Sequence, residues 1–328
     1  MFSLSRKSLY VEALDLWIDS MRSQERCFVS HGHSDHAREH RTLVTTPNTA
    51  RICRARFAPS PPQSPPVFFE EHPFNQPWTE RDHRLTLFSA GHVLGSAQLM
   101  IEGQQGSFVY TGDFKLRESL TVEPPEVKRC DVVLMECTYG RPQYVFPAHE
   151  DVAAQMVAFA CEALEDDTVP VFFAYSLGKA QEAMAILGGA GLPLTVHGAV
   201  DNLAQVYRAC GVMLPAYARY HAEGFDTCSV LIWPPGGKAL PKALRNKPVR
   251  TAVLTGWSLD RGALIRYGTE RGFALSDHAD YPALLQYVER AQPRKVLLNH
   301  GWRDFVYRLR ALGVDAEYME DHAQLSLF

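Results

Sequence analysis

The run His31-Gly32-His33-Ser34-Asp35-His36 puts four side chains able to hold a metal ion within six residues, directly after the apolar stretch Cys27-Phe28-Val29-Ser30. In an extended chain, residues two apart project to the same side, so His31 and His33 can grip one ion. A tight turn after Ser34 then lets Asp35 and His36 face a neighbouring ion. That is a two-metal geometry, suited to hydrolytic displacement. A lone histidine is more often packed or merely exposed, but this density of ligands after a strand-like run has few bland explanations.

Further candidates share one positional habit. His92 follows Leu85-Thr-Leu-Phe88 by a few residues, Asp113 follows Phe108-Val-Tyr110, and His300 follows Val296-Leu-Leu298. Each sits where a strand-like run ends, and in α/β proteins such ends converge on one crevice. Asp113 is then expected to bridge two ions, with His92 completing the first site and His300 the second. Mixed nitrogen and oxygen ligation suits zinc or manganese. Asp19, after Leu16-Trp-Ile18, and Glu136, after Val132-Val-Leu-Met135, obey the same rule without needing to be ligands. A metal-bound histidine usually donates its other N–H to a carboxylate, and a general-acid histidine also needs one to orient it. Asp19 fits the first task. Glu136 with His278, a histidine left over ahead of a helical pattern, is expected to be the proton-transfer pair.

Strands and helices must carry these groups. Short runs rich in β-branched and aromatic residues at 27–30, 85–89, 108–111, 132–135, 169–175, 194–196, 230–233, 251–254 and 296–298 predict strands. Apolar spacings of three and four predict helices over 152–164, 179–187, 203–210, 281–291 and 304–312. The class is α/β. A length of 328 residues, 46% of them hydrophobic and 21% charged, excludes fibrous and disordered classes. Segment 58–67, with five prolines, predicts an extended surface loop rather than a domain boundary.

The net charge of −4 means that a nucleic-acid partner needs a local basic patch or metal to hold it. Residues 238–271 supply one candidate: eight Lys or Arg against Asp260 and Glu270, equally readable as a solvated face. The seven scattered cysteines form no CxxC pair, which speaks against a disulfide framework and for a reducing compartment. Glu12, Asp15 and Asp19 interrupt any signal core, and no 18-residue apolar run occurs, so a cytoplasmic protein with no membrane partner is expected.

Taken together, Asp19, the His31–His36 run, His92, Asp113, Glu136, His278 and His300 resemble the metallo-β-lactamase fold nucleases of the β-CASP group. The resemblance covers nearly the whole chain. The phrases Ala90-Gly-His-Val-Leu-Gly-Ser-Ala97, Gly112-Asp-Phe-Lys-Leu116, Ala174-Tyr-Ser-Leu-Gly-Lys-Ala-Gln181 and Leu275-Ser-Asp-His-Ala-Asp280 are most similar to small bacterial ligase-associated DNA exonucleases. It implies an αββα sandwich formed by residues 1–145 and 270–328, with a β-CASP domain inserted at 146–269. It also implies hydrolysis of single-stranded DNA from an end, the 5′ end favoured, in DNA repair, with a DNA ligase as functional associate. Histidine at position 300 matches the RNA-acting members instead, so an RNase of the same fold is the alternative. A small-molecule metallo-hydrolase is a more distant one. A non-enzymatic scaffold would be expected to have lost ligands, and every expected ligand is present.

Ser176 and Lys179, between a strand and a helix, could receive a substrate phosphate or simply begin the helix. His197 is expected to be a hydrogen-bonded core residue. His40, His72, His83, His149, His221 and His322 are assigned helix, loop or terminal surface positions without a role.

Overall fold

The strand Val132–Cys137 is buried along its whole length. Its side chains alternate between two cores: Val132 and Leu134 join one, and Val133, Met135 and Cys137 the other. A strand covered on both faces needs apolar residues at every position, which is why this segment reads as a continuous apolar run. In the computed structural model it belongs to a seven-stranded sheet with the spatial order Asp315–Tyr318, Lys295–Gly301, Val132–Cys137, Gly106–Tyr110, Ala97–Gly103, His83–Ser89, Trp78–Glu80. The structure describes residues 2–5, 8–57, 66–223, 225–235, 240–244 and 246–319. Residues 58–65 of the proline-rich segment, Lys238 and Arg245 of the basic stretch, and His322 lie outside them.

A second sheet of six strands runs in chain order from Phe2–Ser5 to Phe68–Glu71. The first core is the layer between the two sheets: Leu9, Ile18, Phe28 and Val44 from one meet Leu87, Leu99, Phe108 and Leu134 from the other. Helices Tyr281–Ala291 and Phe305–Ala311 cover the outer face of the seven-stranded sheet through Leu284, Tyr287, Phe305 and Leu309. On the outside of the six-stranded sheet, Cys53 and Phe57 of helix Pro47–Phe57 pack on Cys27 and Leu43. These layers are the expected αββα sandwich.

Contacts divide the chain into two units, 1–142 with 278–328, and 143–277. The second unit has its own six-stranded sheet, in the order Ala218–Arg219, Leu194–Val196, Val230–Trp233, Val169–Phe173, Val249–Leu254, Arg271–Phe273, with every pairing parallel. Helices His149–Glu165, Lys179–Gly189 and Gly198–Ala209 form a core with one face of it through Met156, Ala183, Leu187 and Ala204. Parallel strands need long crossovers, and the helices are those crossovers. The pairing of Arg271–Phe273 with Val249–Leu254 carries this unit on past residue 270.

Several expected positions change. His40 is no surface residue: it is 1% exposed, and the Gln24 N–H donates to its Nδ1 at 3.1 Å. His197 is half-buried rather than core, and caps helix Gly198–Ala209 by accepting from the Ala199 N–H. His149 pairs with Glu182 at 2.9 Å.

Burial pushes the His40 pKa down to about 4. An unfolded chain takes up that proton near pH 6.5, so stability is intact above 6.5, falls below it, and levels off near 4. The shift corresponds to about 3 kcal/mol at most. His40→Asn keeps an acceptor for Gln24 but cannot titrate. Chemical denaturation from pH 7 to 4 should show a shallower loss of stability in this variant, whereas parallel curves would show that His40 is protonated in the folded state.

Candidate metal centre

Residues brought from the ends of several strands converge on Asp113. The carboxylate follows strand Gly106–Tyr110 and is 6% exposed. Four imidazole nitrogens surround its Oδ2: Nε2 of His36 at 3.4 Å, His31 at 3.7 Å, His92 at 3.9 Å and His278 at 4.0 Å. Most of these separations are too long for hydrogen bonds. Two donors bound tetrahedrally to one zinc ion at its usual bond length stand about 3.4 Å apart, so the spacing is of the kind a shared ion imposes. His33 completes the group, its Nδ1 lying 3.0 Å from His92 Nε2. Three donor sets result: His31, His33 and His92; His31, His36 and Asp113; and His92, Asp113 and His278.

The tautomers follow from hydrogen bonds. Asp19 accepts from the Ser30 N–H at 2.8 Å, the Ser30 hydroxyl at 2.6 Å, the Tyr110 hydroxyl at 2.8 Å and His36 Nδ1 at 2.8 Å. With the Ser30 proton committed to Asp19, its Oγ accepts from His31 Nδ1 at 3.0 Å. His31 Nε2 is then left as a lone pair, fully buried and without a hydrogen-bond partner. An orphaned nitrogen in that position is costly unless an ion meets it, and the donor set fits one. Burial, then the neighbouring His36 and His92, hold the His31 pKa well below its ordinary value, keeping the neutral ligand form. Burial opposes ionisation of Asp113, yet His36 and His278 hold its carboxyl well below the usual range. Burial followed by Asp19 pushes Tyr110 well above its ordinary value, so its hydroxyl remains a donor.

A matching carboxylate serves His278. Glu136, 1% exposed, accepts from the Phe114 N–H at 2.8 Å and from the Thr138 hydroxyl, while His278 Nδ1 lies 2.9 Å from both its oxygens. This leaves His278 Nε2 facing Asp113. Gly112, at φ +56, permits the turn into Asp113, since a Cβ there would come within 2.8 Å of Ser30.

The structure therefore brings together His31, His33, His36, His92, Asp113 and His278, with Asp19 and Glu136 behind them. Asp35 and His300 belong to none of the three sets among the described residues. Asp35 is exposed. His300 is exposed at the end of strand Lys295–Gly301, with its ring 5.4 Å from that of His36. His278, expected only to move protons, also lies within a donor set. Lys179 departs from the phosphate reading: it is buried, with Nζ 2.6 Å from Asp277 Oδ2. Ser176 is half-buried and its carbonyl accepts from Gln181. Ser30, Tyr110 and Thr138 are members of the site that no sequence pattern singles out. Their one signal is adjacency to the strand-end residues.

The sandwich carries a histidine–aspartate cluster of the kind that could hold metal ions. Residues 265–323 match the model of the Zn-dependent metallo-hydrolase RNA specificity domain. A probable DNA ligase of Opitutus terrae is 40% identical over 97% of this chain, which covers 31% of that protein. An RNase J-like protein of Methanocaldococcus jannaschii is 24% identical over 67% of the chain, covering 64% of that relative. The chain thus spans less than two thirds of either. A crystal structure of an Enterococcus faecalis protein of unknown function shares the fold, with a TM-score of 0.58 and 15% identity over 84% of this chain and 75% of that one. Together these matches point to the metallo-β-lactamase β-CASP nucleases as the proteins this chain is similar to.

Because Asp19 holds His36 through the nitrogen that faces away from Asp113, Asp19→Asn should weaken zinc binding by about 10- to 100-fold. Titration against a competing chelator measures this. Unchanged affinity would mean that His36 is oriented without the Asp19 charge.

Proposed function

We propose that this chain is a two-metal phosphodiesterase acting on nucleic acid, a single-strand DNA exonuclease with the 5′ end favoured. The observation that carries the reading is a buried histidine–aspartate cluster whose half-buried member, His278, is oriented by its own carboxylate, Glu136, at 2.9 Å. Hydrolysis of a phosphodiester needs charge stabilisation at phosphorus and a proton for the leaving oxygen, and the two halves of the site answer those two needs.

In this reading His31, His33 and His92 would hold one ion, zinc or manganese, and His36, Asp113, Asp35 and His300 would hold a second. Bound ions would neutralise charge on the phosphoryl, attacking and leaving oxygens. The chain's own residues do the rest. Asp113 fixes the spacing, and Asp19 keeps His36 in its ligand tautomer through Nδ1. The oxygen of water bonds to phosphorus as the water's proton passes to solvent, the bond to the leaving oxygen breaks, and His278, as an imidazolium, delivers its Nε2 proton to that oxygen while Glu136 holds Nδ1. Residues 143–277 are the inserted β-CASP domain.

DNA is favoured because the similarity to the probable DNA ligase extends over 97% of the chain. Processing of a strand end ahead of sealing would make a DNA ligase the natural partner. RNA is the second reading, supported by the RNA specificity model over 265–323 and by the RNase J-like relative. A cytoplasmic setting belongs to the same proposal, since all seven cysteines are free. No helix among the described residues is long and apolar enough to cross a membrane.

End-labelled single- and double-stranded DNA and RNA, incubated with metal-loaded protein, decide polymer, polarity and cutting mode. RNA cut at least tenfold faster than DNA would select the second reading. His278→Ala should retain its ions and lose about 10²- to 10⁴-fold in rate on the polymer, with a smaller deficit on bis(p-nitrophenyl) phosphate, whose leaving group needs no proton. Metal lost in parallel with activity would place His278 among the ligands instead.

A further inference from the structure

Residues 138–141 leave strand Val132–Cys137 directly after Cys137, one residue beyond Glu136, and their side chains address the site in turn. Thr138 donates to Glu136, Tyr139 lies with its ring 6.1 Å from that of His278, and Arg141 reaches the neighbouring strand end. There its guanidinium stacks 3.4 Å from the centre of the Trp302 ring and pairs with Asp304 at 2.8 Å. Trp302 follows His300 by two residues. The two segments are tied at one point: the Cys137 carbonyl accepts both the Gly140 N–H at 3.0 Å and the Trp302 N–H at 3.1 Å. Gly301, at φ +135, is required there, since a Cβ would run into that carbonyl.

A surface arginine is ordinarily mobile, and fixing one costs side-chain entropy. Here a ring face and a carboxylate fix Arg141 in advance, yet among the described residues its side chain hydrogen-bonds only to Asp304, and it is 35% exposed. Guanidinium donors left over from that bond match the paired oxygens of a phosphate. We infer that Arg141, held by Trp302 and Asp304, grips a backbone phosphate of the nucleic-acid strand beside the one being cleaved. The inference rests on the nucleic-acid reading above and names a strand contact for it. Arg141 is a substrate-binding residue in this account, without part in bond breaking.

Arg141→Met and Trp302→Leu test it, the second keeping the charge but removing its support. Steady-state kinetics on a single-stranded oligonucleotide should show KM raised about tenfold in Arg141→Met with kcat changed less than threefold. Trp302→Leu should show a smaller rise of the same kind. The slope of log kcat/KM against log salt should flatten by about 0.7 to 0.9, the value of one lost phosphate contact. Bis(p-nitrophenyl) phosphate offers no neighbouring phosphate, so its kcat/KM should fall at least five times less than that of the polymer. Oligonucleotides with 5′-phosphate and 5′-hydroxyl ends tell a terminal phosphate from an internal one, and a loss on either supports the grip. Equal losses on both substrate types, or an unchanged salt slope, would overturn it in favour of a purely structural stack. Wild-type protein that hydrolyses the small ester but neither DNA nor RNA would overturn the nucleic-acid reading, and this inference with it.

Discussion

The Asp113 carboxylate, buried among imidazoles that mostly lie beyond hydrogen-bonding reach, is the constraint around which the first unit is arranged. Four histidine nitrogens within 4.0 Å of one oxygen are a poor arrangement for a protein that only had to fold. Buried polar groups normally find partners, and an interior that leaves His31 Nε2 without one is bearing a cost. That cost is borne by the layered core, where residues such as Phe28, Leu99, Phe108 and Leu134 are 1% exposed or less. The rigidity of that core keeps the turns at the strand ends from relaxing to satisfy their own polar atoms.

Two carboxylates set the chemistry behind the cluster, and they do so by the same means. Asp19 and Glu136 each receive at least one backbone N–H and one hydroxyl, and each presents an oxygen to Nδ1 of one histidine. A carboxylate can only accept, so both histidines carry a proton on Nδ1 and turn Nε2 toward Asp113. The difference lies in burial. His36 is 1% exposed, whereas the His278 side chain is 20% exposed. A half-open histidine can exchange protons with water or a leaving group, and an enclosed one is better placed as a ligand. In the proposed reading one device thereby serves two roles.

Much of this was legible in the sequence, for a physical reason. Candidate donors packed into one turn, as at His31, His33 and His36, and polar residues at the ends of apolar runs, as at His92, Asp113 and Glu136, are local patterns that survive without knowledge of the fold. The strands buried on both faces were equally plain. Lost were features that depend on distant partners or on polar edges. Strand Phe68–Glu71 has an exposed and half-exposed pattern, and helix Pro47–Phe57 carries Arg51, Arg54 and Arg56, so neither shows clear apolar periodicity. Tyr110 meets Asp19 across 91 positions, and Lys179 meets Asp277 across 98, pairings no local pattern encodes. For Lys179 that partner favours the plainer of two open readings, because a lysine beside a glycine resembles a phosphate site as much as a helix start until its internal carboxylate is known.

The parallel pairing of Val132–Cys137 with Lys295–Gly301 explains why so many groups collect at one edge. Glu136 stands opposite Asn299 and Cys137 opposite Gly301, with a register shift between them. A bulge of this kind ends the ladder and re-aims the residues beyond it. On one strand the chain then continues into Thr138, Tyr139 and Arg141, and on the other into Trp302 and Asp304. His300 takes a left-handed backbone conformation, φ 44, at the same break. Strain of that sort persists only where surrounding structure over-determines it. The Cys137 carbonyl, taken by both outgoing segments, supplies that determination. A single irregularity in one strand pair thus orients the carboxylate behind His278, presents His300, and anchors a fixed guanidinium on the adjoining segment.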